Sequence, residues 1–295
     1  MLQALVVSFA ILVSTPGSYA TDKNPAASAS NTDVDSKQPT PHSNSAAGAT
    51  SSEDLAAENE LLEAANKSRE VAGVAPLRVE NSLRDAARAH ALRMIANDRL
   101  EHQLAGEPAL LERIGQVSPL KIDRVGENVA YASSALDVNA ALMHSAPHRE
   151  NLLDRGFDVA GIAAIWRQGK LYVVQDFAHD VPSYSARESR ALVGRAVAEI
   201  RHQAGLPELA QLLPAKLDEA TCSLARDRRP KAREIAVAYN NRRIITYTQS
   251  HPEIIPPEAT RLVGDPDVRQ FAVGSCYARN AAYPTGMYWV AILLY

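Results

Sequence analysis

The sequence predicts an α+β fold for its central part, with helices first and a β-hairpin last. Residues 55–94 contain two stretches whose apolar side chains recur at helical spacing. Residues 157–166 and 171–178 are apolar runs of strand length, joined by Gln168-Gly169-Lys170, which is a hairpin signal. Helices followed by strands argue for a layered α+β domain and against a doubly wound parallel sheet.

At 295 residues, with 46% hydrophobic and 22% charged, the chain has room for two modest domains and the composition of a soluble globular protein. A net charge of −3 and a pI near 6.3 supply no electrostatic basis for nucleic acid or an anionic membrane as partner.

The chain opens differently. Leu2 to Val13 form an apolar run of signal-peptide length, and Ser18-Tyr19-Ala20 is a small-x-small cleavage site before Thr21. Met1-Leu2-Gln3 lacks the usual Lys or Arg, so an uncleaved anchor is the alternative. No Cys follows the run, which argues against a lipoprotein. A signal peptide over 1–20 implies a secreted, periplasmic or extracellular protein with no transmembrane segment after cleavage. Residues 21–55 are rich in Ser, Ala, Thr, Asn, Pro and Asp and read as a disordered, low-complexity linker.

The first folded unit spans residues 56–181. Ser52-Glu53 opens a helical pattern through Leu55, Leu62, Ala65 and Arg69, stopped by Gly73. Ser82, three residues before Asp85, starts a second helix with Leu83, Ala86, Ala87, His90, Ala91 and Met94 on one side. His90 in that stripe reads as a packed core histidine rather than a ligand. Leu100-Glu101-His102-Gln103 falls in a loop, and Glu107 to Ile114 reads as a short helix between Gly106 and Gly115. Ile122 to Ala130, with Gly126-Glu127-Asn128, is a strand or turn leading to a helix from about Asp137 to His144 that buries Val138, Ala141 and Leu142. Pro147 is expected to terminate it, since proline cannot continue the hydrogen-bond ladder.

These pieces, taken in order, resemble a known family. Asn66…Arg69…Gly73…Leu77, a helix with Ala86 and His90, an isolated His102, Gly126-Glu127-Asn128, and Ser145-x-x-His148-Arg149-x-Asn151-Leu152-Leu153 are similar to the bacterial branch of the CAP superfamily. That superfamily includes cysteine-rich secretory proteins, insect venom antigens and plant pathogenesis-related proteins (SCP-like). Phe157…Val159-x-Gly161 and Tyr172-Val173-Val174-Gln175-x-Phe177 resemble its closing strands. The likeness covers about residues 57–178 and implies an α-β-α sandwich. It also implies a cleft lined by two histidines and two acidic residues, with His102, Glu127 and His148 in three of those places. Ser145 stands where animal and plant members carry a glutamate, and Leu142 where a tryptophan is usual.

Two neutral imidazoles and a carboxylate form a zinc ligand set with an open fourth position, which activates a bound water near neutral pH. No local metal motif such as H-E-x-x-H brings these groups together, so only the implied fold does. The cofactor is therefore not fixed: the set admits zinc or another divalent cation, with His102 and His148 as the candidate ligands. The structural alternative has Glu127 and Asn128 bonding a turn's backbone, Asn151 capping the segment after Pro147, and Arg149 pairing with a carboxylate. Together these imply an exported, non-enzymatic binding module. Its cleft, formed by His102, Glu127, Ser145 and His148, would take a metal, a small ligand or a cell-envelope component. The alternative is a zinc-dependent hydrolase with Glu127 as general base.

A second region repeats parts of the first. Arg201…Ala204-Gly205…Leu209…Leu217-Asp-Glu219-Ala220 parallels Arg69…Ala72-Gly73…Leu77…Leu83-Arg-Asp85-Ala86, and Val273-Gly274 echoes Ala160-Gly161. Residues 190–295 thus read as a degenerate CAP-like domain without the Gly-Glu-Asn and His-Arg motifs; an unrelated α+β domain is the alternative. Cys222 and Cys276, the only cysteines, are a disulfide or two buried thiols, and spacing alone does not decide. Arg226, Arg228, Arg229, Lys231 and Arg233 read as a solvated helix end.

Overall fold

A computed structural model describes residues 5–8, 51–226, 232–240 and 243–295. Of the expected signal stretch only Leu5–Ser8 is described, as a strand, β1. Residues 9–50, with most of the expected linker, and 227–231, in the middle of the basic cluster, lie outside the described residues. The chain divides into two compact units. One contains 51–119 and 124–179; the other contains 5–8, 120–123 and the described residues from 180 onward. Among the described residues no helix is long and apolar enough to cross a membrane.

The first unit begins with β2 (Ser52–Glu53), which pairs antiparallel with a later strand, so these two residues do not open the helix as the sequence pattern implied. The helix α1 (Leu55–Val71) is capped instead by Asp54, whose carboxylate accepts from Ala57 N and from Trp166 Nε1. It ends at Gly73, which takes a φ of 66° that only glycine adopts without strain. There follow β3 (Arg78–Val79), α2 (Asn81–Asn97), α3 (Leu110–Val117), β4 (Ile122–Ala132), α4 (Ala135–His144), α5 (Ala146–Leu153) and the hairpin β5 (Val159–Arg167) and β6 (Lys170–Asp180). The hairpin read at Gln168-Gly169-Lys170 is present, and it turns through Gln168 and Gly169 alone, both at positive φ, with Lys170 already in β6. Helix α3 starts later than expected and contains Gly115, because Glu107 turns inward to meet His90 instead of starting a helix.

The sheet runs β2-β5-β6-β4, with β3 also on β5. Along β5 alternate residues serve opposite layers. Ala160, Ile162 and Ala164 pack with α1, α4 and α5, while Ala163 and Ile165 pack with α2. This is the α-β-α sandwich. Helix α2 rests directly on the sheet: a Cβ at Gly161 would lie 2.0 Å from Arg84 N and 2.2 Å from Leu83 C. One buried arginine ties the layers together. Arg69 donates to the carbonyls of Ala75, Leu152, Asp154 and Phe157, four backbone acceptors from separate segments.

The second unit contains α6 (Ala186–Gln203), β7 (Ala210–Leu212), α7 (Leu217–Arg226), α8 (Ala232–Ala238), β8 (Arg243–Gln249), α9 (Pro257–Val263), β9 (Gln270–Asn280) and β10 (Tyr283–Leu294). Its sheet order is β1-β8-β10-β9-β7. Helices α6 and α9 share one apolar cluster with the sheet, and α7 and α8 another. Cys222 on α7 and Cys276 on β9 are joined in a disulfide, Cα atoms 5.2 Å apart, and no free cysteine is present among the described residues.

Several details of the two units coincide. Arg201 donates to Pro207, Val263 and Asp265 carbonyls, as Arg69 does to Ala75, Leu152 and Asp154. Gly205 takes the same φ, 66°, as Gly73. The Arg243–Asp265 ion pair matches Arg124–Asp154. The Asp265 carboxylate accepts from Asp267 N, as Asp154 accepts from Gly156 N. Strand β7 runs parallel to β9 as β3 does to β5. A Cβ on Gly274 would strike Thr221 Oγ1 at 2.3 Å, the counterpart of the contact at Gly161.

Candidate functional site

Gly126, Glu127 and Asn128 lie inside β4, not in a turn as one sequence reading had them. Gly126 is required by crowding: a Cβ there would lie 2.8 Å from the Phe157 ring. Because neighbouring strand residues face opposite ways, Glu127 and Asn128 serve different layers. Glu127 is buried and reaches toward α2 and α3. Its Oε1 accepts from His102 Nδ1 at 2.9 Å, and its Oε2 accepts from Arg113. Arg113 also donates to the His102 carbonyl at 3.1 Å and pairs with Glu107 at 3.3 Å. Behind it, fully buried His90 sets Nδ1 against the Glu107 carboxylate and Nε2 against the Glu101 carbonyl, each at 2.9 Å. His90 is packed, as expected, but as part of a polar cluster.

Asn128 faces the other way, onto α5. Its Nδ2 donates to the His148 carbonyl at 3.1 Å and to Gln175 Oε1 at 3.2 Å, while its Oδ1 accepts from Asn151 Nδ2. Asn151 also donates to the Glu127 carbonyl. This lattice fastens the start of α5 to the sheet, which sets the position of His148.

Pro147 does not end a helix. Helix α4 stops at His144, and Pro147 is the second residue of α5, where its missing N–H has no intrahelical partner to lose. Asn151 is consequently inside α5 and not a cap. Arg149 donates to the Met143 carbonyl, so the expected carboxylate pairing is replaced by a backbone contact. Ser145 sits at the N-cap of α5 yet makes no side-chain cap bond; its hydroxyl lies 2.8 Å from His148 Nδ1 instead.

The two imidazoles meet here, ring centroids 6.3 Å apart. Each is held by Nδ1, His102 by a carboxylate and His148 by a hydroxyl. A carboxylate only accepts, so His102 donates through Nδ1 on a side chain that is 53% exposed. Burial, and then the neighbouring His102, push the His148 imidazole below its ordinary value, which keeps it neutral near pH 7. Two rings sharing one zinc through nitrogen have centroids about 5 Å apart, closer than the 6.3 Å found here. The second shell fits, since a carboxylate on the far nitrogen is the usual support of a metal-binding histidine. Glu127 is not positioned as a third ligand, both its oxygens being engaged. Among the described residues no three His, Cys, Asp or Glu side chains are grouped to hold a metal.

Sequence reading missed Arg113, Glu107 and Asp176. The last is fully buried on β6 beside Glu127, and neither of its oxygens meets a donor. Burial first, and then the Glu127 charge, hold its carboxyl well above the usual carboxylate range. The signal was present: Gln175-Asp176 interrupts an otherwise apolar strand.

Residues 62–177 match the family model described as Cysteine-rich secretory protein family, CAP. No curated protein matches the sequence. Among solved structures, an outer surface protein of Borrelia burgdorferi is 18% identical, covering 45% of this chain and 98% of that one, with a TM-score of 0.42. An extracellular protein containing an SCP domain from Bacillus anthracis is 22% identical over 42% of this chain, TM-score 0.38. A cysteine-rich secretory protein from Staphylococcus aureus is 24% identical over 42%, TM-score 0.34. This chain spans 41% and 39% of the length of those last two proteins. The motif series and the sandwich agree with the family match, which makes residues 62–177 a CAP domain.

Proposed function

We propose that this is an exported CAP-domain binding module, whose cleft takes its ligand between His102 and His148. The observation that carries this is the commitment of Glu127. A general base needs a free oxygen within reach of the proton it removes. Glu127 instead accepts from His102 and from Arg113 with its side chain only 4% exposed, an arrangement that orients an imidazole and keeps the carboxylate back from a substrate in the cleft. What the site offers is two imidazoles, each held through Nδ1. A borderline divalent cation such as zinc suits that pair, its coordination completed by water or by a small ligand.

Export rests on the apolar run and cleavage site at residues 1–20 and on the secretory character of the family. Cleavage there removes β1 and leaves β8 as an edge strand. Residues 190–295 are, on the matched arginine clamps, ion pairs and glycines, a second copy of the scaffold. In that correspondence Thr246, Pro256 and Ala259 stand where Glu127, Ser145 and His148 stand in the first, so among the described residues the second copy does not repeat those three side chains.

Isothermal titration of the mature chain with zinc tests the reading: heat corresponding to a single site, absent in His102→Ala/His148→Ala, is expected. No zinc-dependent heat in the native protein would remove the metal. The hydrolase alternative is judged by a screen on peptide and ester substrates. It requires turnover that Glu127→Ala abolishes.

A further inference from the structure

The cluster beneath the cleft holds more carboxyl groups than its hydrogen bonds explain. Glu107, Glu127 and Asp176 face the guanidinium of Arg113, with His90 and, at 3.8 Å, the half-exposed Arg93 against Glu107. Asp176 is fully buried, and its hydrogen-bonding neighbour is Glu127, another acceptor. Two carboxylates in contact in a buried place repel, and Asp176 has no donor of its own. A single proton shared between them removes both problems. Glu127 has its oxygens on His102 and Arg113, which favour its anionic form, so the proton belongs on Asp176.

The second unit serves as an internal control. Gly161 pairs with Asp176 across β5 and β6, and Gly274 pairs with Ala291 across β9 and β10. Ala291 in turn lies opposite Thr246 of β8, the counterpart of Glu127. Thus the scaffold closes with an alanine where the first unit buries a carboxyl, and with Val290 where it buries Gln175. The fold does not need the acid. A buried polar group kept at a cost that the scaffold can avoid points to the site it touches.

We infer that Asp176 is a positioning residue of the cleft: as a neutral carboxylic acid it donates to Glu127 and so fixes the carboxylate that orients His102. The inference rests on the reading of the cleft as a binding site only for its consequence on affinity; the orientation of His102 is tested separately.

The experiment is nitrogen-15 NMR of the histidine rings in the full mature chain, with His102→Ala to assign the signal. Native protein and Asp176→Asn, whose amide can still donate, are expected to show His102 protonated at Nδ1. In Asp176→Ala the Nε2-protonated form is expected to become the major one, and zinc affinity to fall roughly tenfold or more. A folded Asp176→Ala protein with an unchanged His102 tautomer would overturn the inference, as would Asp176→Asn behaving like Asp176→Ala. Should the alanine variant not fold, the infrared band of a protonated carboxyl decides: it is expected in native protein at pH 7 and lost in Asp176→Asn, and its absence from native protein overturns the assignment. If native protein takes no zinc, the metal reading fails while the tautomer comparison still judges Asp176.

Discussion

The two units share a clamp and differ in a core. In each, a buried arginine near the end of the first long helix collects carbonyls from distant loops, Arg69 from four and Arg201 from three. In each, a glycine lets a helix lie on a strand. Between sheet and helix, however, the first unit buries Glu127, Asp176, Glu107, Arg113 and His90, while the corresponding layer of the second is Ala291, Leu293, Leu217 and Ile235. The comparison separates what holds the sandwich from what serves the cleft. Residues common to both are scaffold. Those confined to the first are the candidates for the proposed cleft.

The largest expected effect falls on the shared clamp. Arg69→Ala and Arg201→Ala each strand several buried carbonyls, and each is expected to cost about 3–5 kcal/mol by chemical denaturation. A loss below about 1 kcal/mol in either would break the equivalence. Next comes the feature found only in the second unit. Replacing Cys222 and Cys276 together by serine is expected to cost that unit about 2–4 kcal/mol, with hydrogen exchange in β5 and β6 unchanged. Gly161→Ala and Gly274→Ala each drive a methyl into the overlying helix, and a penalty of about 1–3 kcal/mol is expected from both. Similar values would sharpen the match of α2 with α7.

The last prediction concerns pH. Asp176 holds its proton in the folded chain at pH values where the unfolded chain has lost it. Its contribution is therefore fully present below the ordinary value of 3.8 and is lost as pH rises through the raised folded value. Over that window native protein should lose on the order of 1 kcal/mol per pH unit relative to Asp176→Asn. Unfolding titrations at a series of pH values check this, and parallel curves for the two proteins would contradict it.

Much of the fold was legible because periodicity reports burial directly. The stripe Leu83, Ala86, Ala87, Ala91 and Met94 became the inner face of α2, and Gln168-Gly169 became the hairpin turn. His102, Ser145 and His148 were legible as a set through the resemblance, since residues this far apart in sequence have no local signature. Pro147 misled because proline marks a helix start as readily as an end, and only the fold shows which. Arg69 looked like one residue of an ordinary stripe, whereas its role depends on carbonyls more than eighty residues away. Asp176 escaped notice because a charged residue in an apolar strand has meaning only once its neighbour across the sheet is known.

The central claim is that one cleft, in the first unit alone, binds through His102 and His148. Isothermal titration of zinc into the mature chain tests it most directly. One ion per chain is expected, with binding abolished by His102→Ala/His148→Ala and retained in the Cys222→Ser/Cys276→Ser protein. No binding, two ions per chain, or binding that survives loss of both histidines would contradict it.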